Sequence, residues 1–202
     1  MPDKNRFKCI IILLLSLILP LAASAGSDSR SETPHKWLRS FGFVTGYGTA
    51  PLDDKSSDYE VVPLLYQFSF DINPFAEKLG IKSRRTNFEL LVEPMTSVVV
   101  SPDTNAEIGC SFFLRYSVQL TTWFSPYLEV GTGFVYITQH VHEQGSQSNF
   151  ITQPGIGVLF FLGKHYALSV GYRYRHLSNA GLASPNRGVD SHFGTVGLTY
   201  VF

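Results

Sequence analysis

The feature that most constrains the fold of this chain is a strict alternation of apolar and polar side chains over long segments. Between positions 166 and 174 every second residue is tyrosine, leucine or valine, and the residues between them are alanine, serine, glycine and arginine. Because successive side chains of a β-strand point to opposite faces, this segment predicts a strand with one apolar and one polar face. His176 and Ser178 continue the apolar face.

Seven further segments alternate in the same way, and between them lie short polar or glycine-rich connectors. The connector 73–85 is longer and is predicted to contain a helical turn at Phe75–Leu79. With 10 Tyr and 16 Phe in the chain and few helix signals, the pattern predicts all-β structure. The seven segments are Trp37–Tyr47, Val62–Phe70, Phe88–Val98, Ile108–Val118, Leu128–Tyr136, Ile156–Leu162 and Asp190–Phe202.

The first 25 residues resemble a secretory signal peptide. Three basic residues in the first eight positions precede an apolar run, Ile10–Leu21, and the small residues Ala23-Ser24-Ala25 follow it. This order predicts export and cleavage after residue 25. Residues 26–202 are then expected to form one domain.

Composition excludes several classes of protein. Removing the leader leaves 13 basic and 15 acidic residues, a formal charge of −2, so there is no basic surface for nucleic acid. Cys110 is the only cysteine left, which excludes an internal disulfide scaffold. It is predicted to be a small apolar residue facing lipid.

The alternating faces allow two arrangements. A secreted β-sandwich or lipocalin-like barrel would put the apolar faces inside. However, the apolar faces are aromatic at the strand ends, as in membrane barrels, and the polar faces are small and glycine-rich, as the interior of a narrow barrel requires. The last segment ends in Phe202, as outer-membrane barrel strands commonly do. We therefore predict an eight-stranded antiparallel up-and-down transmembrane β-barrel in the outer membrane of a Gram-negative bacterium.

Up-and-down topology places one cluster of polar residues at the outer rim. If the first strand starts on the periplasmic side, the seventh ends at His176–Asn179 on the external side, and the polar loops near Pro51, Ser101 and His140 are external as well. Arg173 and Arg175 then face the interior, where they are expected to pair with glutamates.

His176, Ser178 and Asp190 could form a nucleophilic site on the outer wall. Side chains two residues apart on a strand face are about 6.5–7 Å apart, so an imidazole can approach the serine hydroxyl. Asp190 shares their face and can orient the base. The Asn179 side chain and the Gly181 N–H could receive an oxyanion. The same residues, however, are also those of an ordinary turn.

The run Tyr-Arg-His-Leu-Ser-Asn-Ala-Gly-Leu, followed by Pro-Asn-Arg-Gly and an acid, resembles the signature of the PagL family of lipid A deacylases. The resemblance implies a serine esterase that removes the 3-O-linked acyl chain of lipid A and needs no metal or organic cofactor. It assigns His176 as general base, Ser178 as nucleophile and Asn179 to the oxyanion hole. Asp190 takes the place of a glutamate in the best-known members. The resemblance is compatible with a homodimer, and it implies lipopolysaccharide and outer-membrane lipids as partners.

Two other histidine groups are weaker candidates. His140-Val141-His142 is predicted to be an exposed loop and not a metal site. His192 shares the face of the proposed site and is predicted to fill space there.

Two other functions are possible from the sequence. The alternative is a non-catalytic small outer-membrane barrel that serves adhesion, defence or packing. The third is a palmitoyltransferase-type barrel, which would have an interior acyl pocket.

Overall fold

The computed structural model describes residues 37–52, 57–81, 85–138 and 145–202. The predicted signal peptide and the segment His140-Val141-His142 lie outside these residues. In the described part of the chain, no helix is long and apolar enough to cross a membrane.

Eight antiparallel strands form a closed barrel in sequential order, with β1 paired to β8. Closure leaves no strand edge without a backbone partner, which lipid requires of any membrane-spanning sheet. A short helix, α1, begins at Asn73, close to the predicted helical turn. The elements are β1 (Leu38–Ala50), β2 (Tyr59–Asp71), α1 (Asn73–Lys78), β3 (Thr86–Ser101), β4 (Asn105–Val118), β5 (Phe124–Ile137), β6 (Ser148–Phe161), β7 (Tyr166–Ser178) and β8 (Val189–Val201).

The outer wall is apolar along its whole height, as the alternation predicts. We call the end of the barrel with the connections after β2, β4 and β6 the turn end, and the end with the connections after β1, β3, β5 and β7 the loop end. Exposed aromatic rings cluster near both ends. Cys110 lies on the same outer face and is a free thiol. The exposed apolar side chains include Trp123, Phe134, Phe150, Leu168, Val170, Tyr172, Leu198 and Tyr200.

A network of ion pairs fills the middle of the barrel. Arg173 donates to Glu129 at 2.6 Å and to both carboxylate oxygens of Glu93 at 2.6 and 3.0 Å. Arg115 donates two hydrogen bonds to Glu129, at 3.0 and 2.8 Å. All four side chains are buried. Since each charge has an opposite partner and several hydrogen bonds, the interior tolerates charges that would otherwise be costly to desolvate.

The interior at the loop end is apolar, which differs from the uniformly polar interior expected from the sequence. Above the pair formed by Arg175 and Glu107, at 2.9 and 3.0 Å, a buried apolar cluster fills the lumen. The ends of β3 and β5 in this region are apolar on both faces, so they lack the alternation that marks an inward side chain. The cluster includes Ala50, Leu52, Val61, Val99, Val135, Ile137, Ile151, Leu177 and Val189.

The interior ion pairs lead to a prediction about stability. Replacing Arg173 with leucine should destabilise the folded barrel by about 3–5 kcal/mol, because Glu93 would remain buried without its cation and Glu129 would keep only Arg115. Arg39→Leu is the control, because Arg39 is 31% exposed and lies 3.5 Å from Glu89; it should cost about 1 kcal/mol or less. Urea unfolding in detergent, followed by heat-modifiable gel mobility, measures both. Equal midpoints for the two variants would contradict a stabilising network.

Candidate active site

The predicted site residues lie on the hairpin formed by β7 and β8 and on the loop 179–188 that joins them. In the register of this hairpin, His176 is directly opposite Asp190. Both side chains point to the outer wall, because their neighbours Arg175, Leu177 and Ser191 point into the barrel and are buried. The strand pairing therefore brings the imidazole and the carboxylate together at the loop end.

The His176 imidazole and the Asp190 carboxylate form a direct hydrogen bond. Nδ1 of His176 lies 2.6 Å from Oδ1 of Asp190. An ionised carboxylate can only accept, so Nδ1 must carry the proton and donate it. In the neutral ring, Nε2 is then left with its lone pair free. This tautomer is the one a general base requires.

Ser178 is the last residue of β7 and lies on the same outer face, two residues beyond His176. Its cross-strand neighbour on β6 is Phe150. In the described part of the chain, its hydroxyl makes no hydrogen bond with the imidazole, whose side-chain partner is Asp190. Hydrogen bonds between a nucleophile and its base are often longer without substrate and shorten when substrate binds.

The surroundings of these three residues are those of a lipid-facing wall. Phe150 and Tyr172 are exposed on the outer surface, and Phe150 packs edge-to-face with Phe134 at 6.3 Å between ring centroids. His176 and Asp190 have side chains 44% and 54% exposed. A substrate would therefore reach them along the outside of the barrel and not through its lumen.

His192 lies on the same face but is engaged elsewhere. Its Nδ1 is 2.6 Å from the hydroxyl of Tyr172, and its ring contacts those of Tyr172 and Tyr174. These contacts support the prediction that it fills space in the aromatic belt beside the site.

The Asn179 side chain lies on the opposite side of the wall from Ser178 and is fully buried. Its Nδ2 donates to the carbonyl oxygens of Ala183 at 2.9 Å and Pro185 at 3.3 Å. Its backbone N–H donates to Oδ1 of Asn186 at 2.9 Å. Asn179 is thus the residue around which the loop 179–188 is organised.

The second predicted oxyanion donor is also engaged in this loop. The Gly181 N–H donates to Oδ1 of Asn179 at 3.0 Å. To bind an oxyanion formed at Ser178, both donors would have to exchange these partners, and the Asn179 side chain would also have to turn towards the outer side of the wall. Their role in the oxyanion hole therefore stays a prediction.

Three residues of the site loop and its surroundings were given no role of their own from the sequence. Asn186 accepts from the Asn179 backbone, and the Gly145 N–H, preceding β6, donates to the Pro185 carbonyl at 2.6 Å. Gly188, with a φ of 79°, ends the loop two residues before Asp190. The Asn-Arg-Gly sequence is a turn signal that could have identified two of them.

Comparisons with known proteins agree with this architecture. A family model described as Lipid A 3-O-deacylase (PagL) matches residues 66–199, which is more than half of the chain and includes every predicted site residue. The crystal structure of the outer membrane enzyme PagL is 18% identical, with a TM-score of 0.55, covering 78% of this chain and 97% of that one. The Neisserial surface protein A structure is 12% identical, with a TM-score of 0.57, covering 85% and 100%. No curated protein sequence matches. By the family model, the chain belongs to the PagL family of lipid A 3-O-deacylases and is an enzyme of the Gram-negative outer membrane.

Proposed function

We propose that this protein hydrolyses the 3-O-linked acyl ester of lipid A with Ser178 as nucleophile, His176 as general base and Asp190 as the orienting acid. The observation that carries this assignment is the 2.6 Å bond between His176 and Asp190 on the same outward strand face as Ser178. A serine needs a base to become nucleophilic, and the base needs an acceptor to fix its tautomer. The strand pairing brings the base His176 and the acceptor Asp190 together, at sequence positions that match the family signature.

The first half of the reaction forms an acyl-enzyme. The Ser178 Oγ attacks the ester carbonyl carbon while its proton passes to Nε2 of His176. The tetrahedral intermediate then collapses, and the sugar 3-oxygen leaves with the proton from Nε2. Asp190 stays ionised and stabilises the imidazolium that exists between these two transfers.

The second half restores the enzyme. A water molecule gives its proton to Nε2 and attacks the acyl carbonyl, and Ser178 leaves with that proton as a hydroxyl. The products are a free fatty acid and lipid A with a hydroxyl at the 3-position. Each step moves one proton between Nε2 and an oxygen, so no metal or redox group is needed to balance it.

The position of the site fits a membrane substrate. The acyl chains of lipid A lie in the outer leaflet, and its sugars lie at the surface of that leaflet. A site at the loop end of the outer wall, beside the exposed ring of Phe150, meets the ester without extracting the lipid. Because the wall around it is apolar, charges that develop in the transition state are weakly screened.

Asn179 and Gly181 remain the proposed oxyanion donors. Their present partners are the loop's own carbonyl and amide groups. Binding of a tetrahedral oxyanion would replace one hydrogen bond within the loop by a charge-assisted one, which is about twice as strong. On this basis we expect the loop 179–188 to change its hydrogen bonding when substrate binds.

The overall function is tested by mass spectrometry of lipid A. Outer membranes of a Gram-negative strain without its own deacylase should, when they contain this protein, yield lipid A lighter by the 3-O-linked acyl chain. The 2-N-linked chains should be retained, because an amide is intrinsically less reactive than an ester towards a serine nucleophile. Lipid A of unchanged mass, with the barrel folded in the membrane, would contradict the proposed function.

A further inference from the structure

Gly188 lies against the imidazole of His176. A Cβ atom built on Gly188 would lie 2.7 Å from Cε1 of His176, 3.5 Å from Nε2 and 3.6 Å from Nδ1. Carbon atoms in van der Waals contact prefer separations of about 3.5–4.0 Å. The ring therefore occupies space that any residue other than glycine at position 188 would fill.

The atom of His176 nearest to this Cβ position is Cε1, which is well placed to control the orientation of the ring. Cε1 lies between the two nitrogens, so a group pressing on it turns or displaces Nδ1 and Nε2 together. Asp190 holds Nδ1 at 2.6 Å from one direction, and the backbone at Gly188 borders the ring from another. With 44% of its side chain exposed, the imidazole is only partly enclosed by the protein.

Backbone conformation alone does not explain this contact. Gly188 has a φ of 79°, but Gly80, Gly163 and Gly181 have φ values of 83°, 81° and 77°. A Cβ atom at any of these three positions would meet nothing within 4 Å. Among the left-handed glycines in the described residues, Gly188 therefore combines a turn with contact to the proposed base.

We propose that Gly188 is a positioning residue for His176, because its missing side chain leaves the space in which the imidazole can reach Asp190 and present Nε2 to Ser178. This inference rests on the proposed function of the site. Gly188 acts through the ring and does not touch the substrate. Its replacement should displace the base while the barrel stays folded.

Gly188→Ala should lower kcat by about 10²-fold, as misplacement of a catalytic group by about 1 Å does, with little change in KM. Gly163→Ala is the matched control, because it introduces the same left-handed strain at the turn end with open space around the new Cβ. It should keep the activity of the unchanged enzyme. Heat-modifiable mobility verifies that each variant is folded.

Gly188→Asn separates the ring contact from the turn. Asparagine adopts left-handed backbone more readily than alanine, so it preserves the turn but still places a Cβ against the ring. We expect kcat to fall as far as in Gly188→Ala. Wild-type kcat in Gly188→Asn would overturn the proposal, because glycine would then be needed only for the turn.

A spectroscopic readout tests the ring position without relying on activity. The hydrogen-bonded Nδ1–H resonance of His176, assigned by its loss in His176→Gln, should shift or disappear in both Gly188 variants and stay unchanged in Gly163→Ala. If the unsubstituted protein does not deacylate lipid A, the proposed function is overturned. The Nδ1–H resonance would still decide whether Gly188 positions the ring. An unchanged resonance in folded Gly188→Asn would overturn the positioning role.

Discussion

Ser178→Ala and His176→Ala should each lower the turnover of lipid A by about 10⁴-fold or more. Alanine at position 178 removes the oxygen that attacks the ester, and alanine at position 176 removes the group that takes its proton. Because the two residues act as a unit, the double variant should be no slower than either single variant. The measurement is the rate of fatty-acid release from purified lipid A in mixed micelles.

Two controls match these changes. Ser191→Ala removes a hydroxyl beside Asp190 but on the buried, interior side of the wall. His165→Ala removes a histidine at the turn end, where its ring stacks on Tyr200. Both should retain turnover within a fewfold. Substantial turnover in folded Ser178→Ala would require a different nucleophile and would eliminate the mechanism proposed above.

Much of the fold could be predicted because alternation carries the information that a barrel needs. A period of two assigns each side chain to one face, and lipid requires a closed sheet. The assignment of Arg173 to the interior and Tyr172 to the outer wall follows directly from this period. The burial of Arg173 and the exposure of Tyr172 confirm it.

The loop end of the interior could not be predicted in the same way. Val98-Val99-Val100 and Val135-Tyr136-Ile137 are apolar at every position, so no alternation distinguishes the inward residue. In the structure Val99, Val135 and Ile137 are buried in the lumen. These side chains fill the lumen on the loop-end side of the ion pairs. Their packing joins strands that are distant in sequence.

In the site, too, only part of the arrangement could be predicted. The odd or even position of a residue along its strand (its parity) predicts the face on which its side chain lies, whereas the register between strands decides which residues are neighbours. Parity places His176 and Asp190 on one face, but only the register of the β7–β8 hairpin makes them direct neighbours. Direct pairs on one face of an antiparallel sheet have Cβ atoms about 4.5–5.5 Å apart. This spacing is why an aspartate, with its short side chain, reaches the imidazole.

Parity also explains the location of Asn179. It is adjacent to Ser178 in sequence, so its side chain points to the opposite side of the wall, where it binds the carbonyls of Ala183 and Pro185. Adjacency in sequence suggested an oxyanion donor, but hydrogen bonds within the loop depend on the path of the chain after the strand ends. Such paths are poorly determined by local residue types.

The carboxylate at position 190 is the point at which the chain departs from the glutamate that the family resemblance implies, and three substitutions test its role. Asp190→Ala should lower kcat by about 10³-fold or more, which is less than the loss in Ser178→Ala, because orienting acids contribute less than nucleophiles. Asp190→Asn should fold normally and be similarly slow, because its amide can donate to Nδ1 and favour the tautomer with the proton on Nε2. Asp190→Glu should keep turnover within about tenfold, since the side chain at this position is 54% exposed and a longer carboxylate has room to bend back to Nδ1.

Asp103→Asn, in an exposed loop at the same end of the barrel, is the control for loss of a carboxylate. Near-full activity in the alanine and asparagine variants alike would remove Asp190 from the site and leave Ser178 and His176 as a dyad.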